Sequence, residues 1–409
     1  MGGGDLHKCV ICLSDFATAS PEHFILESLG GVRKSRTLDC TPCNHRLGNE
    51  VDEPFTTALD VFKNHLAIIR PDSKKPPPTI RGVDVGIGVP VDLAPGGRPL
   101  TPRLSLPSRP NDEGSPITFS ARSLEEFRRE FPNIAARYGL SSRELLNRLR
   151  QSGSAVRVAK FARTSVMHRL PLGGEACFRS VAKSCLLYFG DRWGAPLALG
   201  AMFDDVRRYV RDGTLPEGRR LVVHAHEAPF PAHDESLASG LTHAIYVSAS
   251  PDCSNVVGYL QVFGVFRFRC LLAREWAEPA RAWLYEVDPI NGRWTEREDP
   301  CRNQPSTESV LEESSDLPQA VRMAMERLSA VAGNRQGQLV AEEVAGYAID
   351  QVPVSHEGQP VSSELMDRVV ERAAERFVEH VMRVDRETPE DLGAMLDEIE
   401  RDLEQEGHQ

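Results

Sequence analysis

Two C-x2-C pairs, Cys9/Cys12 and Cys40/Cys43, stand 27 residues apart near the start of the chain. Thiolates spaced this way turn in pairs onto one cation, and two pairs complete a tetrahedral zinc site. Four thiolates fill the coordination sphere and leave no position for water, so this Zn2+ is expected to be structural. Chemistry must then come from residues between and beside the pairs. They are Pro21-Glu22-His23-Phe24-Ile25, then Glu27, Leu29, Gly30 and Gly31, and the run Cys40-Thr41-Pro42-Cys43-Asn44-His45-Arg46-Leu47-Gly48-Asn49-Glu50-Val51-Asp52. The other five cysteines, Cys177, Cys185, Cys253, Cys270 and Cys301, form no close pair and read as thiols without chemistry.

In combination, the first C-x2-C, the Glu-His ahead of Ile and Gly-Gly, and the C-x2-C-N-x2-L-G-x3-D run resemble the HNH endonucleases. The resemblance is to their four-cysteine zinc subgroup and covers residues 9 to about 54. It implies a ββα-metal, treble-clef-like module in which a hairpin and a helix grip one divalent cation. His23 matches the family's general base, Glu22 its acidic metal ligand, and Asn44 the ligand that opens the helix. Asp52 is a candidate further ligand. A carboxylate and an amide oxygen suit Mg2+ or Mn2+, and an imidazole takes a proton from water at neutral pH. The implied reaction is hydrolysis of DNA phosphodiesters to 5′-phosphate and 3′-hydroxyl ends. By analogy, a role in restriction or phage defence suits a nuclease fused to a long second region.

Two features qualify that expectation. Successive side chains of a regular strand face opposite sides, so Glu22 and His23 reach one site only from an irregular strand end, which Pro21 favours. The family's hairpin loop usually carries an Asn that orients the base. Residues 24–43 contain none, leaving Ser35, Thr37 or backbone groups as replacements. A catalytically inactive zinc-binding module that binds DNA or protein is therefore the alternative, and a redox or zinc-sensing switch is a third class.

Arg33, Lys34 and Arg36 in the hairpin and Arg46 on the helix are candidate phosphate contacts, of the kind that position a duplex without reading it. They form at most a local patch, because 48 Lys+Arg against 59 Asp+Glu give the 409-residue chain a formal charge of −11. That balance excludes coating of nucleic acid through bulk positive charge. A composition 41% hydrophobic and 26% charged excludes a wholly disordered or collagen-like chain. No 18-residue apolar run and no secretory signal are visible, so the expectation is a cytoplasmic, bacterial protein without a membrane partner. Oligomeric state is open, a homodimer among the options.

The elements that must position these residues read as α+β. Residues 1–70 form the zinc module, ending in a helix over 53–69 with Phe55, Leu59, Phe62 and Leu66 on one face. Residues 71–150 read as a Pro/Gly-rich connector with short strands and helices, one opening at Ser141–Glu144. Residues 151–300 read as a mixed α/β domain with an antiparallel sheet. Its helices are expected at 176–189 and 203–211, and its strands at 156–161, 221–225, 243–248, 256–268 (broken at Gly264) and 282–287. Arg179, Lys183, Arg207, Arg208 and Arg211 fall at helical spacing and suggest either a cationic face or paired surface charges. Residues 301–409 read as helical and acidic, with helices at 317–331 and 362–384. The final stretch, 381–409, carries 10 acidic and 3 basic residues and reads as a solvated amphipathic helix.

Overall fold

The computed structural model describes residues 6–84, 90–100, 124–151, 172–216, 219–225, 237, 241–300, 309–312, 317–350, 363–382 and 389–406. The strand expected over 156–161 and Cys301 lie outside them. The chain divides into two compact units, residues 1–78 with 168–335 and residues 79–167 with 336–409.

In the first unit, β1 (His7–Lys8) and β2 (Asp15–Phe16) pair antiparallel around the first cysteine pair. A second hairpin, β3 (Glu22–His23) with β4 (Lys34–Ser35), precedes α1 (Thr41–Leu47) and completes a ββα arrangement. Cys40, in extended backbone, starts α1, and Pro42 occupies the first turn, where no amide donor is needed. The continuous helix expected over 53–69 is broken. A π-type turn at Gly48–Asp52 leads into α2 (Glu53–Ala58), and Leu59, at φ −100° and ψ 3°, separates it from α3 (Asp60–His65). The apolar stripe survives the break: Phe55, Leu59, Phe62 and Leu66 are all buried.

The chain then enters the second unit. There β5 (Ile80–Asp84), β6 (Pro90–Ala94) and β7 (Arg98–Leu100) form a three-stranded antiparallel sheet. They are followed by α4 (Leu124–Arg137) and α5 (Ser142–Gln151). A capping box opens α5: Ser141 Oγ accepts the Glu144 amide at 3.2 Å, and the Glu144 carboxylate accepts the Ser141 amide at 2.7 Å.

Back in the first unit come α6 (Glu175–Trp193), α7 (Ala195–Ala198) and α8 (Asp204–Asp212). Six strands follow: β8 (Val222–His224), β9 (His243–Ser250), β10 (Asn255–Val262), β11 (Phe266–Arg274), β12 (Arg281–Val287) and β13 (Trp294–Asp299). They form one antiparallel sheet in the order β13-β12-β9-β10-β11-β8. The long apolar run around Gly264 is a hairpin of two strands. Phe263 and Gly264 both take positive φ, 56° and 68°, as a tight turn matching the strand twist requires.

Helix α6 lies on this sheet so closely that a Cβ at Gly258 of β10 would sit 2.6 Å from Cys185 Cβ and 2.8 Å from its Sγ. Gly258→Ala is therefore expected to lower stability by roughly 1–3 kcal/mol through overpacking. An unchanged thermal midpoint would show that helix and sheet have slack at this crossing.

The C-terminal helices are α9 (Leu317–Asp350), longer than expected, α10 (Ser363–Met382) and α11 (Pro389–Glu406). In the second unit α11 buries Met395, Leu396 and Ile399 against Phe127, Phe131, Ile134, Leu145 and Leu146 of α4 and α5. Its acidic residues face two arginines: Arg128 pairs with Glu398 and Asp402, and Arg150 with Asp397 and Glu400. The acidic helix is thus a packed layer of its unit on its apolar side. No helix among the described residues is long and apolar enough to cross a membrane.

Candidate active centre

Both cysteine pairs converge. The ligand atoms of Cys9, Cys12, Cys40 and Cys43 lie within 4.8 Å of one another. Cys12 Sγ and Cys40 Sγ are 3.6 Å apart, near the roughly 3.8 Å edge of a tetrahedron with 2.3 Å metal–sulfur bonds. The amides of Cys12 and Cys40 point at Cys9 Sγ from 3.5 and 3.4 Å. The Cys43 thiol, then these amides, pull Cys9 down to about 4 against its burial, so a thiolate is prepared. The cluster is compatible with structural zinc. It is held from outside its own segment: Arg207 of α8 donates through Nε to Val10 O at 2.8 Å, inside the first knuckle.

In β3, side-chain alternation separates the two candidate catalytic residues. Glu22 is 7% exposed and meets Lys183 of α6, whose Nζ lies 2.6 Å from Glu22 Oε1. Lys183 also bonds Asp52 Oδ2, while Ser180 Oγ donates to Asp52 Oδ1 at 2.7 Å. The π-type turn at Gly48–Asp52 carries Asp52 to this position; such an extra-wide turn shifts the side chains beyond it around the helix. Burial opposes the Lys183 charge, but Asp52 and Glu22 outweigh it and keep the ammonium protonated. Beside them, Asp39 is fully buried with neither carboxyl oxygen partnered. Burial and the charge of Glu22 raise it to about 8. Three carboxyls thus face one ammonium.

The His23 ring turns instead toward Asp72, with Nε2 3.3 Å from Asp72 Oδ2. Lys34 Nζ approaches the same oxygen at 2.5 Å. Burial and then Lys34 lower the His23 pKa, outweighing Asp72 and Glu27, so the imidazole is neutral at pH 7. Asn44 spans back to the strand entry, its Nδ2 3.4 Å from Ser20 O and 3.5 Å from Pro21 O. Glu22 and Asp52 therefore meet at Lys183 on α6, while Asn44 bonds the backbone that enters β3. Among the described residues, His23 shares no hydrogen-bond or ion-pair partner with Glu22.

The candidate phosphate contacts divide. Arg33 lies between Asp191 at 2.7 Å and Glu296 at 2.8 Å, with its side chain 22% exposed. Lys34 and Arg46 are more open, at 37% and 40%. Arg46 Nη1 donates to Arg211 O at 2.8 Å, and Arg36 Nη1 to Ala19 O at 3.2 Å. Nor do the arginines and lysine of α6 and α8 form one cationic face. Lys183 and Arg207 are buried, and Arg179 donates to the carbonyls of Val210 and Arg211 at the end of α8.

Sequence reasoning missed Lys183 and Ser180 as partners of the site. The available signal was the polar stripe Ser180, Lys183, Ser184 at helical spacing in an otherwise apolar helix, which marks buried polar groups with a partner. Asp72 and Asp39 carried no signal.

For a hard divalent cation, the donor chemistry is suitable. Glu22 and Asn44 offer oxygen ligands, and the orphaned Asp39 carboxyl is a further oxygen group with no partner in the fold. Among the described residues, the four cysteines are the group of three or more His, Cys, Asp or Glu whose ligand atoms converge to within 4.8 Å.

Residues 9–60 match the family model for the HNH endonucleases. No curated protein and no solved structure matches the chain.

Proposed function

We propose that the segment matching the HNH endonucleases makes this chain a metal-dependent endonuclease that hydrolyses DNA phosphodiesters, with the sheet and helices packed on it governing substrate choice or activity. The observation carrying this reading is a neutral, largely enclosed His23 on the hairpin beside the cysteine cluster, in the segment of the family match. His23 takes the proton of the attacking water. In this reading Glu22 and Asn44 would hold Mg2+ or Mn2+, which requires Glu22 to turn from Lys183 toward the His23 side of β3, while Asp52 stays on Lys183. The cation, when bound, supplies charge stabilisation for the phosphate undergoing attack. Lys34, Arg36 and Arg46 give the positive charge that orients the phosphodiester backbone. Arg33 serves the module's packing through Asp191 and Glu296.

Supercoiled plasmid incubated with the full chain and Mg2+ or Mn2+ tests this reading. Wild type is expected to nick it, and His23→Ala to lower the rate roughly 10²-fold or more at equal bound zinc. Equal cutting by both proteins would remove His23 from the mechanism. Lys183 already pairs with both Glu22 and Asp52, and this favours a second reading, a zinc-stapled binding module without catalysis. That reading predicts DNA retention without cleavage under every metal condition.

A further inference from the structure

His23 lacks the hairpin Asn expected to orient it, and the two hydroxyls nearest to that role are occupied: Ser35 Oγ and Thr37 Oγ1 lie 3.3 Å apart and bond each other. The group facing the ring is Asp72, outside the family match and after the last helix of the module. Its place is built. After α3, Asn64 Nδ2 donates to Pro78 O at 2.9 Å and closes the segment into a loop. Within it, Arg70 and Lys75 are joined at 3.0 Å and Lys74 returns to Arg70 O at 2.9 Å. The Ser73 amide donates to Glu27 Oε1 at 2.9 Å, pinning the loop to the hairpin. Lys34, the cross-strand partner of His23, bonds the same oxygen of the Asp72 carboxylate.

We propose that Asp72 is the positioning residue of His23, its carboxylate keeping the imidazole proton on Nε2 so that Nδ1 is the nitrogen that accepts a proton. The inference rests on the reading of His23 as general base. In the reaction the water proton passes to Nδ1 while the water oxygen bonds to phosphorus, and the phosphorus–oxygen bond to the leaving strand breaks, that oxygen taking a proton from solvent. The resulting imidazolium carries protons on both nitrogens, and Asp72 remains a carboxylate that stabilises it, as in a His–Asp pair of a hydrolase. At 3.3 Å the contact has ion-pair range without an aligned hydrogen bond. Contacts of this kind often tighten only when substrate is bound.

The test has a readout independent of cleavage. In the full chain labelled with 15N-histidine, the His23 ring is assigned among the 12 histidines by comparison with His23→Ala. Long-range 1H–15N spectra of the neutral ring are expected to show the Nε2–H tautomer alone in wild type. In Asp72→Ala they are expected to show a mixture of both tautomers. Asp72→Asn keeps an acceptor oxygen and is expected to restore the single tautomer. On plasmid, Asp72→Ala should lose roughly 10- to 100-fold in kcat with little change in KM, the loss typical when a histidine's orienting partner is removed. Asp72→Asn should recover part of that rate. Asp72 is partly exposed, so equal thermal midpoints are expected for all three proteins and would separate positioning from folding. A single Nε2–H tautomer in Asp72→Ala would overturn the proposal, whatever happens to the rate. If neither wild type nor His23→Ala cuts DNA, the nuclease reading fails, and the tautomer result still decides what Asp72 does to the ring.

Discussion

Stripping the metal from the four-cysteine cluster, or replacing Cys43 with Ser, is expected to unfold residues 9–60 and abolish any activity of the site. Structural zinc in small domains is worth about 10–16 kcal/mol in apparent binding free energy. A whole domain has only about 5–15 kcal/mol of net stability. Within the module the strands are two residues long and α1 is seven, too short to persist on their own. The thiolates join the first hairpin to the start of α1, and the placement of Glu22 and Asn44 follows from that junction. Chelation should therefore release one zinc per chain, open the segment to protease and remove its helical signal. The six-stranded sheet, with its own core of Tyr246, Val257, Tyr259, Leu271 and Leu284, should keep its strand signal. A Cys43→Ser chain that retains wild-type protease resistance without zinc would show that packing against α6 and α8 suffices.

The second large effect is expected at Lys183. Its ammonium is buried and serves two carboxylates, Glu22 and Asp52, from different parts of the module. Replacing one partner of a buried ion pair leaves the other charges without compensation, at a typical cost of 3–5 kcal/mol. Lys183→Met, which keeps the bulk of the side chain, should thus lower the urea midpoint sharply. Asp52 would retain only the Ser180 hydroxyl, and Glu22 would lie beside the equally unpartnered Asp39. Adding Glu22→Gln and Asp52→Asn to Lys183→Met should return part of the loss, because the buried anions are then gone. A double-mutant cycle measures the coupling directly. Additive effects would mean that the ammonium and the carboxylates do not depend on each other.

Lys183 also shows how the module and the region after it are related. Val32 and Arg33 amides donate to the Tyr285 hydroxyl of β12 at 3.3 and 3.1 Å. A Cβ at Gly30, which has φ +89°, would come within 3.0 Å of Pro289. Arg207 holds the knuckle carbonyl of Val10. The hairpin, the cysteine cluster and α1 are each fastened to an element from residues 168–335. A centre assembled this way depends on residues 168–335 for both charge balance and shape.

Much of this was legible from residue spacing. Cys9, Cys12, Cys40 and Cys43 announce their cluster because a two-residue gap dictates a turn that presents both sulfurs, wherever the rest of the chain goes. The hairpin-and-helix order of the same segment is what the resemblance to the HNH endonucleases implied. The antiparallel strands are written in β-branched and aromatic runs, and the break at Gly264 in the one residue that accepts positive φ without strain. The expected helix over 53–69 is interrupted because its apolar period runs through Leu59, where the backbone leaves the helical region and the Leu59 amide bonds Thr56 O instead of continuing the ladder.

What only the tertiary structure decided is where charges end. Arg33 reads as a phosphate contact, and Lys183 and Arg207 as part of either a cationic face or a set of paired charges; the fold spends them on Asp52, Glu22, Val10 O, Asp191 and Glu296. Asp72, in what reads as a linker, is brought to His23 by a loop closure at Asn64 and Pro78. Spacing specifies geometry across a few residues because the backbone there has few options. Ion pairs separated by 131 residues, like Lys183 and Asp52, depend on which helix face meets which turn, and local sequence does not encode that meeting.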